Sequence, residues 1–220
     1  MVDSIVSISE QAFFSIVTSA LEAYKVEHVL ANGDFAARVE TFGNLWGYAQ
    51  NTIGASMLYR VVWADTSTSV ERDQGSISYT DEAQELKQSF IDTFFPEVNY
   101  LGDYHSHPYS CNEDGIKTEL ELERAHYYRF SDADFRSVKG QQEKGLDYRV
   151  GLVATVFERD RKVKRSLKKL DKESGLRFQF DGMTIWLKAY VWTEDDNMNY
   201  RRKADKMVRL TCPSLNLLAG

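Results

Sequence analysis

Apolar residues along the chain recur at spacings that predict strands and helices in alternation. Residues 2–8 form a short β-rich run, and Ser9 is placed to cap an amphipathic helix whose apolar side chains continue to Tyr24. Residues 37–50 and 56–64 are rich in β-forming residues, which predicts two further strands. The first strand of this pair carries Glu40.

The patterns that follow predict a mixed α/β (α+β) domain, a sheet flanked by helices, that spans residues 1–220. A helix is expected from Thr80 to Pro96, and its apolar stripe is expected in the core. That stripe consists of Leu86, Phe90, Ile91 and Phe94. The other expected helices span residues 116–128, 131–144 and 197–208. The other expected strands span residues 76–79, 98–101 and 148–157. A hairpin is expected over residues 177–192, with its turn at Asp181 and Gly182.

Two histidines follow the strand-like run 98–101. His105 and His107 are two residues apart, so on a strand both imidazoles leave the same face and can hold one metal ion. Pro108 cannot donate to a sheet ladder and is expected to mark the end of this strand. Catalytic zinc normally takes three protein ligands and leaves a fourth position for water, so a third ligand is required.

Asp134 is the candidate for that third ligand. Ser131 and Asp134 are spaced as the N-cap and the N3 residue of a capping box, and Phe130 and Phe135 as the flanking hydrophobic staple. Capping alone explains this pair, but a carboxylate in the first turn of a helix can also reach a metal on an adjacent strand. Three other acids, Glu113, Asp114 and Glu119, remain alternative ligands if the segment around them folds back.

The chain carries four short motifs in a fixed order: Glu40, the run Gly43-Asn44-Leu45-Trp46-Gly47, His105-Ser106-His107-Pro108, and Ser131 with Asp134. This arrangement resembles the JAMM (MPN+) family of zinc isopeptidases, in which the pattern is Glu…Gly-x-Leu-x-Gly…His-x-His-Pro…Ser-x-x-Asp. Four ordered motifs are far more specific than any one of them.

The resemblance implies that His105, His107 and Asp134 bind Zn²⁺, that Glu40 handles the attacking water, and that Ser131 steadies the oxyanion. It also implies a JAMM/MPN-like (cytidine-deaminase-like) fold and cleavage after the C-terminal glycine of ubiquitin or a ubiquitin-like protein. The 23 residues between His107 and Ser131 exceed the family's usual spacer, so residues 108–130 are expected to be an insertion beside the site. Its His126, Tyr127 and Tyr128 are expected either to contact substrate or to pack the insertion onto the domain.

Composition and charge limit the expected partners and the expected cellular location. The chain has 220 residues, a formal net charge of −6 and a pI near 5.3, which favours protein partners and makes nucleic acid an unlikely ligand. Residues 159–172 form a local basic patch, for which a solvated hairpin is the commoner explanation. Two cysteines, no signal-peptide pattern and no apolar span lead us to expect a cytoplasmic protein without a membrane anchor.

Two other functions are compatible with parts of this pattern. One is a catalytically silent MPN scaffold, although such members typically lose the metal ligands and here all five motif residues are present. The other is a metal-dependent nuclease, although multi-histidine hydrolases usually need more imidazoles than His28 and His126 would add. Cys111, four residues past His107, could also occupy the open metal position and silence the enzyme.

Overall fold

The structure is a computed structural model that describes residues 2–30, 32–52, 56–68, 71–73, 76–78, 81–111, 114–158, 166–195 and 199–216. Its helices are α1 (Glu10–Lys25), α2 (Asp81–Phe94), α3 (Glu119–Arg124), α4 (Asp132–Glu143) and α5 (Pro213–Asn216). Its strands are β1 (Ser4–Ile8), β2 (His28–Val29), β3 (Phe35–Ala36), β4 (Phe42–Asn51), β5 (Met57–Ala64), β6 (Glu71–Asp73), β7 (Ser76–Ser78), β8 (Asn99–Tyr109), β9 (Val150–Glu158), β10 (Lys168–Leu170), β11 (Gly175–Phe180), β12 (Met183–Glu194), β13 (Tyr200–Arg202) and β14 (Val208–Thr211).

Most strands belong to one mixed sheet. Along it the order is β10-β11-β12-β9-β8-β4-β5-β1-β14, and β13 pairs with β12. The pairs β1–β14, β1–β5 and β8–β9 are parallel, and the other pairs of this sheet are antiparallel. The sheet curls, because β14 at one end contacts β11 and β12 near the other. β2–β3 and β6–β7 form two small separate ribbons.

Helices cover both faces of this sheet, as the sequence predicted. On one face α1 packs Ile16, Ala20 and other small or aliphatic side chains against the sheet. On the opposite face Ile91 of α2 and Val138 of α4 pack among aromatic side chains. On β12 the two faces alternate, since Leu187 joins the α1 side and Tyr190 the opposite side. The expected mixed sheet flanked by helices is therefore confirmed.

Several local predictions are also confirmed. Ser9 caps α1 and accepts a hydrogen bond from the Ala12 N–H. β11 and β12 form the expected hairpin through Asp181 and Gly182, both of which have positive φ, as this turn requires. Both features follow from signals carried by residues close together in the chain.

The prediction that the apolar stripe of α2 lies in the core is wrong. Ile91 is buried, but Leu86, Phe90 and Phe94 are 73%, 54% and 63% exposed. The helical period was right, and only one edge of the stripe reaches the sheet. Leu86 and Phe90 instead border an open groove that Trp63 and Phe95 also line.

Three other elements also differ from the prediction. The strand expected from residue 37 begins at Phe42, because Arg38 takes a positive φ and Val39 bonds back to Ala23 of α1. The helix expected over 197–208 is replaced by β13, a short 3-10 turn and β14, since β14 pairs with β1. The helix expected over 116–128 shortens to α3.

Pro108 does not end its strand, which is a further correction. β8 continues to Tyr109 and pairs with β9 along this whole stretch. The last β4 partner on the other side is Phe42, opposite His105, so Pro108 lies where β8 has become a local edge. In the described ranges, no helix combines the length and apolar character that crossing a bilayer would need. Tyr79, Thr80, Glu113 and residues 159–165 and 196–198 lie outside the described residues.

Candidate metal centre

A bulge in β8 determines which way the two histidines face. The register with β4 shifts so that Leu45 is opposite Gly102 while Trp46 is opposite Tyr100, which leaves Leu101 as the extra residue. Tyr100 therefore lies on the α2/α4 side and Leu101 on the α1 side. After the bulge Tyr104 faces α1, and Asp103, His105 and His107 face α4.

The bulge requires glycine at position 102. Gly102 has a φ of 141°, in the region that favours glycine. A Cβ there would also lie 1.9 Å from the carbonyl oxygen of Val150 on β9. The direction in which the histidine side chains point therefore depends on a glycine at this position.

The first turn of α4 brings a carboxylate to the same place. The Asp134 N–H donates to Ser131 Oγ (3.2 Å) and the Ser131 N–H donates to Asp134 Oδ2 (2.6 Å), which is the predicted capping box. The rings of Phe130 and Phe135 lie 5.6 Å apart, as expected of a hydrophobic staple. The predicted capping box is thus confirmed. While Oδ2 of Asp134 accepts the Ser131 N–H, Oδ1 of the same carboxylate faces His105 on β8.

The three candidate ligands converge. His105 Nε2 and His107 Nε2 are 3.1 Å apart, and they lie 3.4 Å from Asp134 Oδ1 and 3.5 Å from Asp134 Oδ2, respectively. A tetrahedral ion with ligands at about 2.0–2.1 Å has ligand atoms roughly 3.4 Å apart. The three distances are close to this separation, with one oxygen of the Asp134 carboxylate facing each histidine. The group His105, His107 and Asp134 can therefore bind a metal ion.

The orientation of His107 supports the same conclusion. Its Nδ1 lies 3.3 Å from the carbonyl oxygen of Tyr127. A carbonyl there favours a proton on Nδ1, which leaves the Nε2 lone pair directed at the other ligand atoms. His105 is held differently, with its ring 4.9 Å from the ring of Phe130.

Charges within the group act strongly on one another. Burial raises the pKa of Asp134, but hydrogen bonds and charge from His105 and His107 outweigh it and hold the pKa well below its usual range. Burial lowers the pKa of His105, but Asp134 and Glu40 reverse that, so the pKa is raised.

Glu40 lies beside these residues, just before β4 begins and not on the strand predicted for it. The Ser106 N–H donates to the Thr41 carbonyl (2.9 Å) and the Thr41 N–H donates to Ser106 Oγ (2.9 Å), so the chain stays against β8. Extending the β4–β8 register brings Glu40 opposite His107. Burial raises the pKa of Glu40, although the charges of His107 and His105 oppose this.

A cleft of about 460 Å³ borders the metal group at His107. Tyr109 and residues between 125 and 130 supply one wall, where the rings of Tyr109 and Tyr127 stack 5.2 Å apart. Ser131 lies in the lining near His107, and Arg202 and Asp205 also line the cleft. Tyr128, by contrast, is buried and donates to Asp171 (3.0 Å), which is the packing role considered for it.

Two of the three alternative acids, Asp114 and Glu119, are engaged elsewhere. Asp114 accepts a hydrogen bond from the Ser110 N–H (2.7 Å), and Glu119 accepts one from the Thr184 hydroxyl. Cys111 packs against the core cluster under α3, with its sulfur 3.9 Å from the carbonyl oxygen of Lys117. Within the part of the chain that the structure describes, Asp134 is the acid that groups with the two histidines.

Sequence reasoning missed Asp103, Gln141 and the carbonyl of Tyr127. Asp103 precedes His105 by two residues, so strand alternation placed it on the same face and could have identified it. Gln141 lies two helical turns after Asp134, but nothing in the sequence indicates its partner. No protein-family model matches this chain, and no curated protein matches it either.

Proposed function

We propose that the protein is a zinc-dependent isopeptidase or peptidase of the JAMM (MPN+) type. The observation that supports it is the triangle of His105, His107 and Asp134 ligand atoms, with the Glu40 carboxylate beside it. These residues belong to the motifs whose order resembles that family. Membership of the family and its fold are part of the proposal.

Zinc is the metal we propose for this group. Two imidazoles and one carboxylate, with a fourth position left open, are a ligand set typical of catalytic zinc. A zinc ion bound there would polarise a substrate carbonyl and lower the pKa of a coordinated water. The cleft beside His107 gives a substrate access to that position.

Glu40 acts as the general base. Its raised pKa, caused by burial, brings the carboxyl closer to the range in which it can both accept and release a proton. It takes the proton of the attacking water and then delivers it to the nitrogen of the leaving amine.

Ser131 stabilises the oxygen of the scissile carbonyl. Its Oγ accepts the Asp134 N–H, so the hydroxyl proton stays available to donate into the cleft that Ser131 lines. One such donor is worth about 3 kcal/mol when negative charge develops on the oxygen. The cap also fixes Oγ relative to the ligand Asp134, so oxyanion donor and metal site move together.

The substrate class comes from the resemblance: a bond after the C-terminal glycine of ubiquitin or a ubiquitin-like protein. An extended tail could run along the cleft, where Tyr109 and Tyr127 would flank it close to His107. The charges there, Arg202 and Asp205 among them, are of both signs, so the cleft favours neither a uniformly acidic nor a uniformly basic tail.

The test is cleavage of a panel of ubiquitin-like proteins joined through a C-terminal Gly-Gly either to a linear partner or to a lysine side chain. We expect the zinc-loaded protein to release the modifier with its carboxyl terminus at glycine, and a chelator to abolish this. Glu40→Gln should retain zinc and lose turnover. The panel includes a single-stranded and a double-stranded oligonucleotide, so that phosphodiester cleavage would reveal a nuclease.

Two results would contradict the proposal. A zinc-loaded protein that cleaves no modifier conjugate is not an isopeptidase of this class, and the silent scaffold then becomes the better reading. Cleavage that Glu40→Gln leaves intact would mean that the general base is a different residue.

A further inference from the structure

A buried polar network joins α4 to β8 two helical turns beyond Asp134. The Gln141 Nε2 amide donates to Asp103 Oδ2 (2.8 Å), and the Tyr148 hydroxyl donates to Asp103 Oδ1 (2.7 Å). On its other side the Gln141 Oε1 atom accepts from the Tyr100 hydroxyl (3.1 Å). Gln141 and Asp103 are 3% and 4% exposed, so water does not compete for these bonds.

Stability alone is a poor explanation for this network. Burying a carboxylate and a primary amide is unfavourable unless both are well hydrogen-bonded, and apolar side chains of similar size often stabilise a core at least as well. The surroundings are apolar and aromatic, with Val138, Phe135 and Trp192 on the same face. What hydrogen bonds add over apolar contacts is direction, because their energy falls steeply when donor and acceptor move out of line.

The two partners of this bond sit on the same elements as the metal ligands. Asp103 and His105 are neighbours on one face of β8, and Asp134 and Gln141 are seven residues apart on one face of α4. The helix therefore meets the strand at two points about 10 Å apart along its axis. Two directional contacts on a rigid helix fix its rotation about its axis as well as its distance from the strand.

We propose that Gln141 is a positioning residue for the metal site: through its bond to Asp103 it sets the rotation of α4 that brings Asp134 to His105 and His107. Without that bond α4 keeps its apolar contacts but can rotate, and Asp134 leaves the third corner of the triangle. This inference rests on the proposed metal site and not on the identity of the substrate.

The experiment measures metal binding by the 220-residue chain, starting from metal-free samples. Zn²⁺ affinity is obtained by competition with a chelator of known affinity, and Co²⁺ is added separately because its visible spectrum reports coordination geometry. Gln141→Met replaces the amide with an apolar chain of similar length. We expect it to weaken zinc binding by about 10-fold or more and to change the cobalt spectrum.

Two further variants separate positioning from stability. Val138→Ala removes a buried side chain of the same helix, 3% exposed, without touching the network. It should lower the melting temperature of the metal-free protein and leave zinc affinity within about two-fold of wild type. Tyr100→Phe deletes one hydroxyl that holds the Gln141 amide, and it should weaken zinc binding in a protein that folds normally.

If Gln141→Met and Tyr100→Phe both bind zinc as tightly as wild type, the inference is overturned. It is also overturned if Val138→Ala weakens zinc binding as much as they do, since loss of helix packing would then explain the effect. A wild-type protein that binds neither ion would refute the metal site itself. Failure of the cleavage panel would leave this result untouched, because no hydrolysis is measured.

Discussion

Asp134→Asn is the substitution that most directly tests the candidate metal centre. The asparagine keeps the size of the side chain and an oxygen that can accept the Ser131 N–H, so the cap of α4 should survive. It removes the negative charge that faces both imidazoles at 3.4 and 3.5 Å. We therefore expect much weaker metal binding with little change in the metal-free fold.

The size of the effect can be estimated. Zinc bound by four protein ligands contributes roughly 10–16 kcal/mol, or about 3 kcal/mol per ligand, so losing one ligand weakens affinity about 100-fold. At a zinc concentration about 100 times the wild-type Kd, zinc stabilises the wild type by about 2.7 kcal/mol and the variant by only about 0.4 kcal/mol. For a chain of this length those energies raise the melting temperature by roughly 5–11 °C and 1–2 °C, respectively.

Thermal melts with and without zinc measure both shifts, and metal content by mass spectrometry gives the stoichiometry. Asp132→Asn is the matched control, because it removes a carboxylate from the same helical turn that is not one of the three converging groups. It should retain the full zinc shift. If Asp134→Asn also retains it, Asp134 is not a ligand and the argument from the triangle fails.

Three further predictions concern other residues. Ser131→Gly should cost only a few tenths of a kcal/mol in stability, because glycine is a tolerated N-cap, yet lower kcat by about 100-fold or more; unchanged turnover would remove Ser131 from the mechanism. Glu40→Gln should bind zinc with wild-type stoichiometry and turn over no substrate, and loss of zinc would show that Glu40 is itself a ligand. Burial raises the pKa of Asp171, but its hydrogen bonds with Arg129 and its contact with the buried Lys188 outweigh burial and lower the pKa. The stability that this carboxylate contributes is therefore present above about pH 4 and is lost as the pH falls below about 4. Asp171→Asn should destabilise the protein by about 3 kcal/mol in urea unfolding at neutral pH and by much less at pH 3; an equal effect at both would refute the ionic role.

The sequence predicted those parts of the site that depend on residues close together in the chain. The pair His105 and His107 needs only strand alternation, and Ser131 and Asp134 need only the geometry of a helix start. Whether the histidine pair and Asp134 meet depends on how α4 lies across β8, and no local sequence pattern predicts that packing. The resemblance to a family supplied that step, and the distances among the ligand atoms agree with it.

The parts that were not predicted depend on distant contacts. A stripe such as Leu86, Phe90 and Phe94 shows that α2 is amphipathic but not how far the sheet extends beneath it, and here the sheet covers only the Ile91 edge. The strand β14 was missed because its extended form is stabilised by β1, more than 200 residues earlier. The bond from Gln141 to Asp103 likewise joins residues whose separation in sequence carries no signal.

The bulge at Gly102 also limits how this chain can vary in length. From the bulge to His107 each residue alternates between the two faces of the sheet. Inserting or deleting one residue between Gly102 and His105 would therefore turn both imidazoles toward α1, and the same change between His105 and His107 would separate the two onto opposite faces. Only changes in pairs would preserve the direction, and these would shift the histidines along β8, away from Asp134. The loop over residues 114–118, where no such alternation applies, can gain or lose residues singly. Homologues that keep this site should therefore differ in length between His107 and Ser131 and hardly at all between Gly102 and His107.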